Sequence, residues 1–173
     1  MLSLIDMTDT KNDGVFLFYS SKSPFSNFYP ASFSITDKDG TKYEYNCSEQ
    51  RFMHVKALTF GDAETAKKIM KSSNPGMQKK LGRAVKEFDE KTWERTREAV
   101  MFEAVLAKFS QNKELREALL GVKGRFAEAS PGDRVWGIGL SSSNPDAKNP
   151  DKWPGENLLG RILDRVRDTL AKS

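Results

Sequence analysis

The reactive side chains of this sequence are few in kind. One cysteine, Cys47, and one histidine, His54, stand against 24 carboxylates and 28 lysines and arginines. A Cys–His nucleophile pair would have to use Cys47 and His54, seven residues apart across an expected helix start. Two helical turns separate such residues by about 10 Å along the axis, beyond hydrogen-bond reach. A Ser–His–Asp triad would need the same histidine, and no serine sits in a nucleophile elbow. One thiol and one imidazole exclude an intramolecular disulfide and any multi-cysteine or histidine-rich zinc site. There is no Gly-x-x-x-x-Gly-Lys-Ser/Thr loop, and Gly137-Ile138-Gly139 is too short for a dinucleotide fingerprint. Carboxylates, aromatics and cations remain. They suit cleavage of a bond through a ribosyl oxocarbenium ion, which needs a carboxylate near the developing charge, a polar clamp on the leaving base and ordered water. Such a reaction requires no metal, cofactor or thiol, and aromatic walls can stack the base and exclude bulk water.

The elements that must position these groups read as α+β, one domain with more helix than strand. Val15 to Tyr19 is strand-like. Phe33 to Thr36 and Thr41 to Tyr45 flank a turn at Asp37-Lys38-Asp39-Gly40, the pattern of a hairpin. The Ser/Pro/Asn-rich stretch 20–30 carries Phe25, Phe28 and Tyr29, which should cover something. Asn46 and Glu49 have the spacing of a capping box at the head of a helix ending at Gly61. Asp62, Asn74-Pro75 and Asp89 start three more helices, the last running to about Ser110 with Ala99, Phe102, Leu106 and Phe109 as its expected buried stripe. Leu115, Ala118 and Leu119 precede a stop at Gly121. Short strands are expected at Arg125 to Ala129 and Arg134 to Leu140, then a long loop over Ser141 to Gly155. A final helix carries the stripe Leu159, Ile162, Leu163, Val166 and Leu170. Residues 1–14 read as an N-terminal extension and 15–173 as the domain. With no signal peptide or membrane span and a lone thiol, the expected location is the cytoplasm, or the nucleus in a eukaryote. The net charge of +4 is compatible with an anionic substrate or nucleic acid, and equally with an ordinary solvated surface.

An ordered set of landmarks goes further. Phe18-Tyr19, Ser26-Asn27-Phe28, Ser48-Glu49-Gln50-Arg51-Phe52 continuing to Lys56, Leu81-Gly82-Arg83, Trp93, Val100-Met101, Lys108-Phe109, Leu115-Arg116, Leu119-Leu120, Trp136-Gly137-Ile138-Gly139 and Gly155-Glu156-Asn157-Leu158-Leu159-Gly160 succeed one another. This series resembles the NADAR (YbiA-like) family from about Phe16 to Leu170. The resemblance implies an N-glycosidase, metal-independent and cofactor-free. Some members hydrolyse riboflavin-pathway intermediates in which an aminopyrimidine is linked to ribose 5-phosphate. Others remove ADP-ribose from guanine bases of nucleic acid. It also implies Glu49, Trp93 and Asp133 as catalytic candidates. Lys56 matches a family lysine seven residues beyond Glu49, on the same helical face. It would clamp phosphate or, with a lowered pKa, form a Schiff base with the ring-opened sugar.

Tyr19, Asn27, Phe28, Arg83, Trp136, Gly137 and Asn157 are the implied substrate-binding residues. Arg83 would hold phosphate, and Asn27 and Asn157 would bond ribose or base. Asn157 also places a helix N-terminus within reach of a phosphate. Each candidate has a structural rival. Glu49 would complete the capping box, Trp93 would pack the core, Asp133 would serve the turn after Pro131-Gly132, and Arg83 would be a surface cation. Many YbiA-like members carry histidine after the Ser-Glu pair, where this chain has Gln50-Arg51. The stretch Ser141 to Pro154 is longer than in compact bacterial members, which favours a larger ligand. The expected activity is therefore release of ADP-ribose from ADP-ribosylated guanine in nucleic acid or nucleotide. Hydrolysis of ribosylaminopyrimidine phosphates is the alternative, and a non-catalytic ADP-ribose- or NAD-binding module is a third reading.

Overall fold

A computed structural model describes residues 14–173; the expected extension over residues 1–14 lies, but for Gly14, outside the described residues. In chain order the elements are β1 (Val15–Phe18), β2 (Phe33–Thr36), β3 (Lys42–Tyr45), α1 (Ser48–Thr59), α2 (Ala63–Lys71), α3 (Pro75–Arg83), α4 (Glu90–Gln111), α5 (Lys113–Gly121), β4 (Arg125–Glu128) and α6 (Leu158–Ala171). The fold is α+β, with six helices and a little sheet among the described residues. Among the described residues, contacts gather 27–112 into one compact unit and 14–26 with 113–173 into another.

In the 27–112 unit, β2 and β3 form the expected antiparallel hairpin, Phe33 opposite Tyr45 and Thr36 opposite Lys42. Gly40 takes φ +86° at the turn, where a side chain would be strained. Asp62, Asn74 and Asp89 cap α2, α3 and α4, each accepting an amide N–H three residues on, which satisfies an orphan donor of the first turn. Helix α1 packs against α2, α3 and α4. The buried positions of α4 are Trp93, Met101, Ala104, Val105, Lys108 and Phe109. That corrects the expected stripe: Ala99 is exposed, and Phe102 and Leu106 are only partly covered. The sequence stripe chose apolar residues by type, whereas the helix turns a lysine inward.

In the second unit, β1 and β4 pair in parallel, Val15 with Arg125 through Phe18 with Glu128. Phe25, buried, packs edge-on against Phe16 and Phe18 at 5.4 and 5.9 Å between ring centroids and lies 4.8 Å from Phe126. The aromatic of that polar stretch therefore covers the strand pair. Val15, Ala127, Ala129, Ile138 and Ala147 form a small core with Leu17, Leu140 and Trp153 against it. Helix α6 buries the expected stripe, Leu159 to Leu170. Arg134 to Leu140 is not a strand but a run of bends held by long-range backbone bonds, Ile138 N–H to Glu128 and Gly155 N–H to Ile138. Alternating apolar residues there satisfy loop packing instead of a ladder. The long loop contains two 3-10 turns, Pro145–Lys148 and Pro150–Lys152, each begun by an asparagine side chain. Among the described residues, no helix is long and apolar enough to cross a membrane.

Candidate active site

The position of Glu49 follows from how α1 begins. The N-cap is Cys47, in extended backbone (φ −167°) with no side-chain cap, so the helix starts one residue later than an Asn46 cap requires. Glu49 is then the second helical residue, and the third is Gln50. Gln50 reaches back, its Oε1 accepting the Asn46 N–H at 2.9 Å. The expected Asn46–Glu49 capping box is thus absent, and the carboxylate of Glu49 is not a cap. Its own N–H donates to the Asn27 carbonyl at 3.1 Å, and the side chain is buried, 5% exposed.

The turn before Glu49 is fixed by buried amides. Gln50 Nε2 donates to the carbonyls of Ile69, Met70 and Ser72. Gln78, fully buried, donates to Asn46 Oδ1 at 3.1 Å and to the Ser72 carbonyl at 2.7 Å, while its Oε1 accepts from Cys47 Sγ at 3.2 Å. Buried amides that use both ends in this way fix backbone geometry, since a lost partner strands a desolvated group. Burial also raises the Cys47 thiol to about 11, so it is a hydrogen-bond donor and not a nucleophile.

Around Glu49 the same unit gathers cations and aromatic rings. Lys56 is buried, with its amine 4.1 Å from the ring centre of Phe88. Burial, and then the charge of Arg83, lower its pKa from the ordinary lysine range, with Glu49 opposing. Phe88 is 44% exposed and rests edge-on against Phe60 at 5.2 Å. The amine of Lys79 lies 5.7 Å from the ring of Phe28. Gly82 lets α3 approach α1, because a Cβ there would fall on the Met53 side chain. Trp93 is buried against Phe52, rings 5.0 Å apart, and so packs α4 onto the root of the site. The structure therefore brings Asn27, Phe28, Glu49, Lys56, Arg83 and Trp93 into one unit. It adds three groups that the sequence left unassigned, Gln78, Lys79 and Phe88. Lys108 is a fourth: fully buried on α4, 5.5 Å from the Tyr29 ring and 5.0 Å from that of Phe109, its amine pushed down to about 7 by burial.

The opposite face of α1 carries a different network. Arg51 is paired with Asp37 at 2.9 Å and Glu103 at 3.4 Å, and donates to the Tyr45 hydroxyl at 3.0 Å. That hydroxyl lies 2.9 Å from His54 Nδ1. A hydroxyl that accepts from Arg51 and donates to Nδ1 fits a neutral imidazole, the state that burial favours here. Arg51, Val55 and Leu58 line an open cavity of about 740 Å³ on this side, turned away from Glu49 and Lys56 by the helical period. Burial, and then the charge of Arg51, lower the His54 pKa to about 4. Since the unfolded chain binds a proton near 6.5, stability is complete above that value and falls as the pH drops towards 4. The loss between pH 7 and 5 is expected on the order of 2 kcal/mol. Thermal unfolding at the two pH values checks it, and His54→Gln should flatten the dependence in that window.

The other unit holds the remaining candidates. Asp133 is half-buried, and its Oδ1 accepts the N–H groups of Val135 at 3.0 Å and Trp136 at 2.8 Å. A Cβ at Gly137 would meet the carbonyls of Glu128 and Asp133, which explains glycine there. Asn157 is the N-cap of α6 in left-handed backbone (φ 53°) without a capping bond. Its buried amide instead donates to the Phe126 carbonyl at 2.9 Å and accepts from the Glu128 N–H at 3.1 Å. The structure thus gives Asn157 the task of joining α6 to β4. Tyr19 is 56% exposed.

The NADAR domain profile matches residues 17–171. The chain belongs to the NADAR family. Among similar proteins, this NADAR domain is 40% identical over 166 residues to Protein irg-1 of Caenorhabditis elegans, covering 89% of the chain and 78% of that protein. It is 39% identical over 145 residues to N-glycosidase R617 of Acanthamoeba polyphaga mimivirus, covering 83% and 85%. It is 29% identical over 163 residues to N-glycosidase YbiA of Escherichia coli, covering 92% and 90%. The solution structure of E. coli YbiA superposes with a TM-score of 0.74 at 28% identity, covering 99% of this chain and 94% of that one.

Proposed function

We propose that this NADAR domain, an N-glycosidase by its family, releases ADP-ribose from ADP-ribosylated guanine. The observation that carries the reading is the setting of Glu49: a buried carboxylate that is not a helix cap, near Lys56, whose amine also feels the charge of Arg83, with Lys79 and two aromatic rings in the same unit. A carboxylate so placed stabilises a developing ribosyl cation or orients the attacking water. Three cations match a diphosphate better than a single phosphate, and Phe28 and Phe88 offer faces to more than one base. Asp133 is carried over from the family pattern as the second proton-handling carboxylate. Trp93 acts by fixing α1 against α4. The lowered pKa of Lys56 favours the amine as a nucleophile towards ring-opened sugar. Borohydride added during turnover would then trap a covalent adduct that Lys56→Arg does not form; absence of the adduct assigns Lys56 to phosphate.

The direct test offers ADP-ribosylated guanosine and a ribosylaminopyrimidine phosphate to one preparation. Faster release of free ADP-ribose is expected. Preference for the pyrimidine would move the reading to riboflavin-pathway intermediates, and tight ADP-ribose binding with turnover of neither would make the domain a binding module.

A further inference from the structure

We infer that the exposed faces of α2 and α3 form a track for a single-stranded polynucleotide that carries the modified base; the inference rests on the ADP-ribosyl-guanine reading and names the form of its substrate. The two helices repeat one charge pattern. Helix α2 presents Lys67, Lys68 and Lys71, and α3 presents Lys79, Lys80 and Arg83. In both, the cations stand at i, i+1 and i+4, an arc of about 100° on one helical face. The helices pack against each other, and every one of these residues but half-buried Lys79 is exposed.

Compensating charge is nearly missing. Between residues 60 and 88 there are seven cations and three carboxylates, Asp62, Glu64 and Glu87. Asp62 is buried, its oxygens accepting the N–H groups of Thr65 and Lys86. Glu64 is engaged by Lys68 at 2.7 Å and Lys86 at 3.8 Å. Lys67, Lys71, Lys79, Lys80 and Arg83 have no carboxylate at ion-pair distance among the described residues. An ordinary solvated helix face looks different: the first half of α4 mixes Glu90, Lys91, Glu94, Arg95, Arg97 and Glu98. Unmatched cations on adjoining helices attract a polyanion.

Aromatic rings decide which polyanion. Phe88 is exposed and backed by Phe60, and Phe28 lies beside Lys79. Cations tracking a backbone with ring faces beside them are the binding mode of single strands, whose unpaired bases stack. Lys56, under Phe88, stands on the same face of α1 as Glu49, so a strand on the track delivers its base towards the carboxylate.

The test uses the full chain, a fluorescent unmodified single-stranded 12-mer and the triple variant Lys67→Gln/Lys71→Gln/Lys80→Gln, all exposed positions outside the Glu49 cluster. Binding should weaken about tenfold, and the slope of log affinity against log salt should become shallower by about two, since three phosphate contacts at ~0.7 each are removed. Cleavage of the modified mononucleoside should be unchanged, while kcat/KM for the same modification within an oligonucleotide falls with the affinity. Phe88→Ala should weaken binding with no change in salt slope. Unchanged affinity and slope in the triple variant would overturn the track, as would tighter, more salt-resistant binding to phosphatidylserine vesicles than to the oligonucleotide. If the triple variant loses strand binding but the wild-type chain cleaves neither modified substrate, the track stands and the substrate reading falls.

Discussion

Glu49→Gln lowers kcat for release of the base by about 10²- to 10⁴-fold, the range expected when a positioned acid–base or charge-stabilising group is removed. KM should change far less, because the amide keeps the shape of the side chain and the cations of Lys56 and Arg83 remain. The rival explanation is structural, that Glu49 serves the fold and its loss unfolds the helix. The start of α1 separates the two. The helix is capped at Cys47, with Gln50 reaching back to Asn46, so glutamine at 49 removes no capping bond. The thermal midpoint should therefore stay close to that of the wild-type chain while activity falls. A drop in kcat below about tenfold, or one that merely follows the folded fraction, would remove Glu49 from the chemistry. Glu49→Asp sharpens the test. It keeps the charge but withdraws it by one methylene, and a displacement of about 1 Å can itself cost 10²-fold.

The capping residue was also where the sequence was misleading, for an instructive reason. Asn46-x-x-Glu49 has the right types at the right spacing, and nothing local rejects it. What rejects it is Gln78, thirty-two residues away, whose amide claims the Asn46 side chain and leaves the cap to Cys47. Local signals with no distant competitor hold in the fold: Asp62, Asn74 and Asp89 cap their helices, and Gly40 turns the hairpin. The stripe of α6 was legible because its apolar positions all point one way. That of α4 was not, since Lys108 is buried where a lysine is not expected and Ala99 is left outside. At the site, Glu49 and Lys56 share a face by spacing alone. Phe88 and Lys79 were invisible because they belong to the α3–α4 connection and to α3, and only tertiary packing brings them to α1. Asn157 was legible as a helix start but not as the residue that joins the helix to a strand.

That last junction carries the largest expected loss of stability. Gly160 sits in the first turn of α6, and a Cβ there would fall within contact of the Phe126 carbonyl and of both polar atoms of the Asn157 amide. Neither partner can give way cheaply. The carbonyl is β4 backbone, paired to β1, and the amide is bonded to Phe126 and Glu128. Gly160→Ala must therefore push α6 from β4 or break those two bonds. Overpacking usually costs ~1–3 kcal/mol, and each stranded buried polar group adds a comparable amount; about 4 kcal/mol is expected, a fall in Tm of roughly 8–16 °C for a chain of this size. Asn157→Ala alone should cost about 2 kcal/mol through the unsatisfied Phe126 carbonyl. The double variant is the discriminating measurement. Removing the Asn157 amide relieves part of the clash, so its loss should be smaller than the sum of the singles. Strict additivity would mean that Gly160 is required by the carbonyl alone, and a midpoint unchanged in Gly160→Ala would show that α6 can move off the strand without loss.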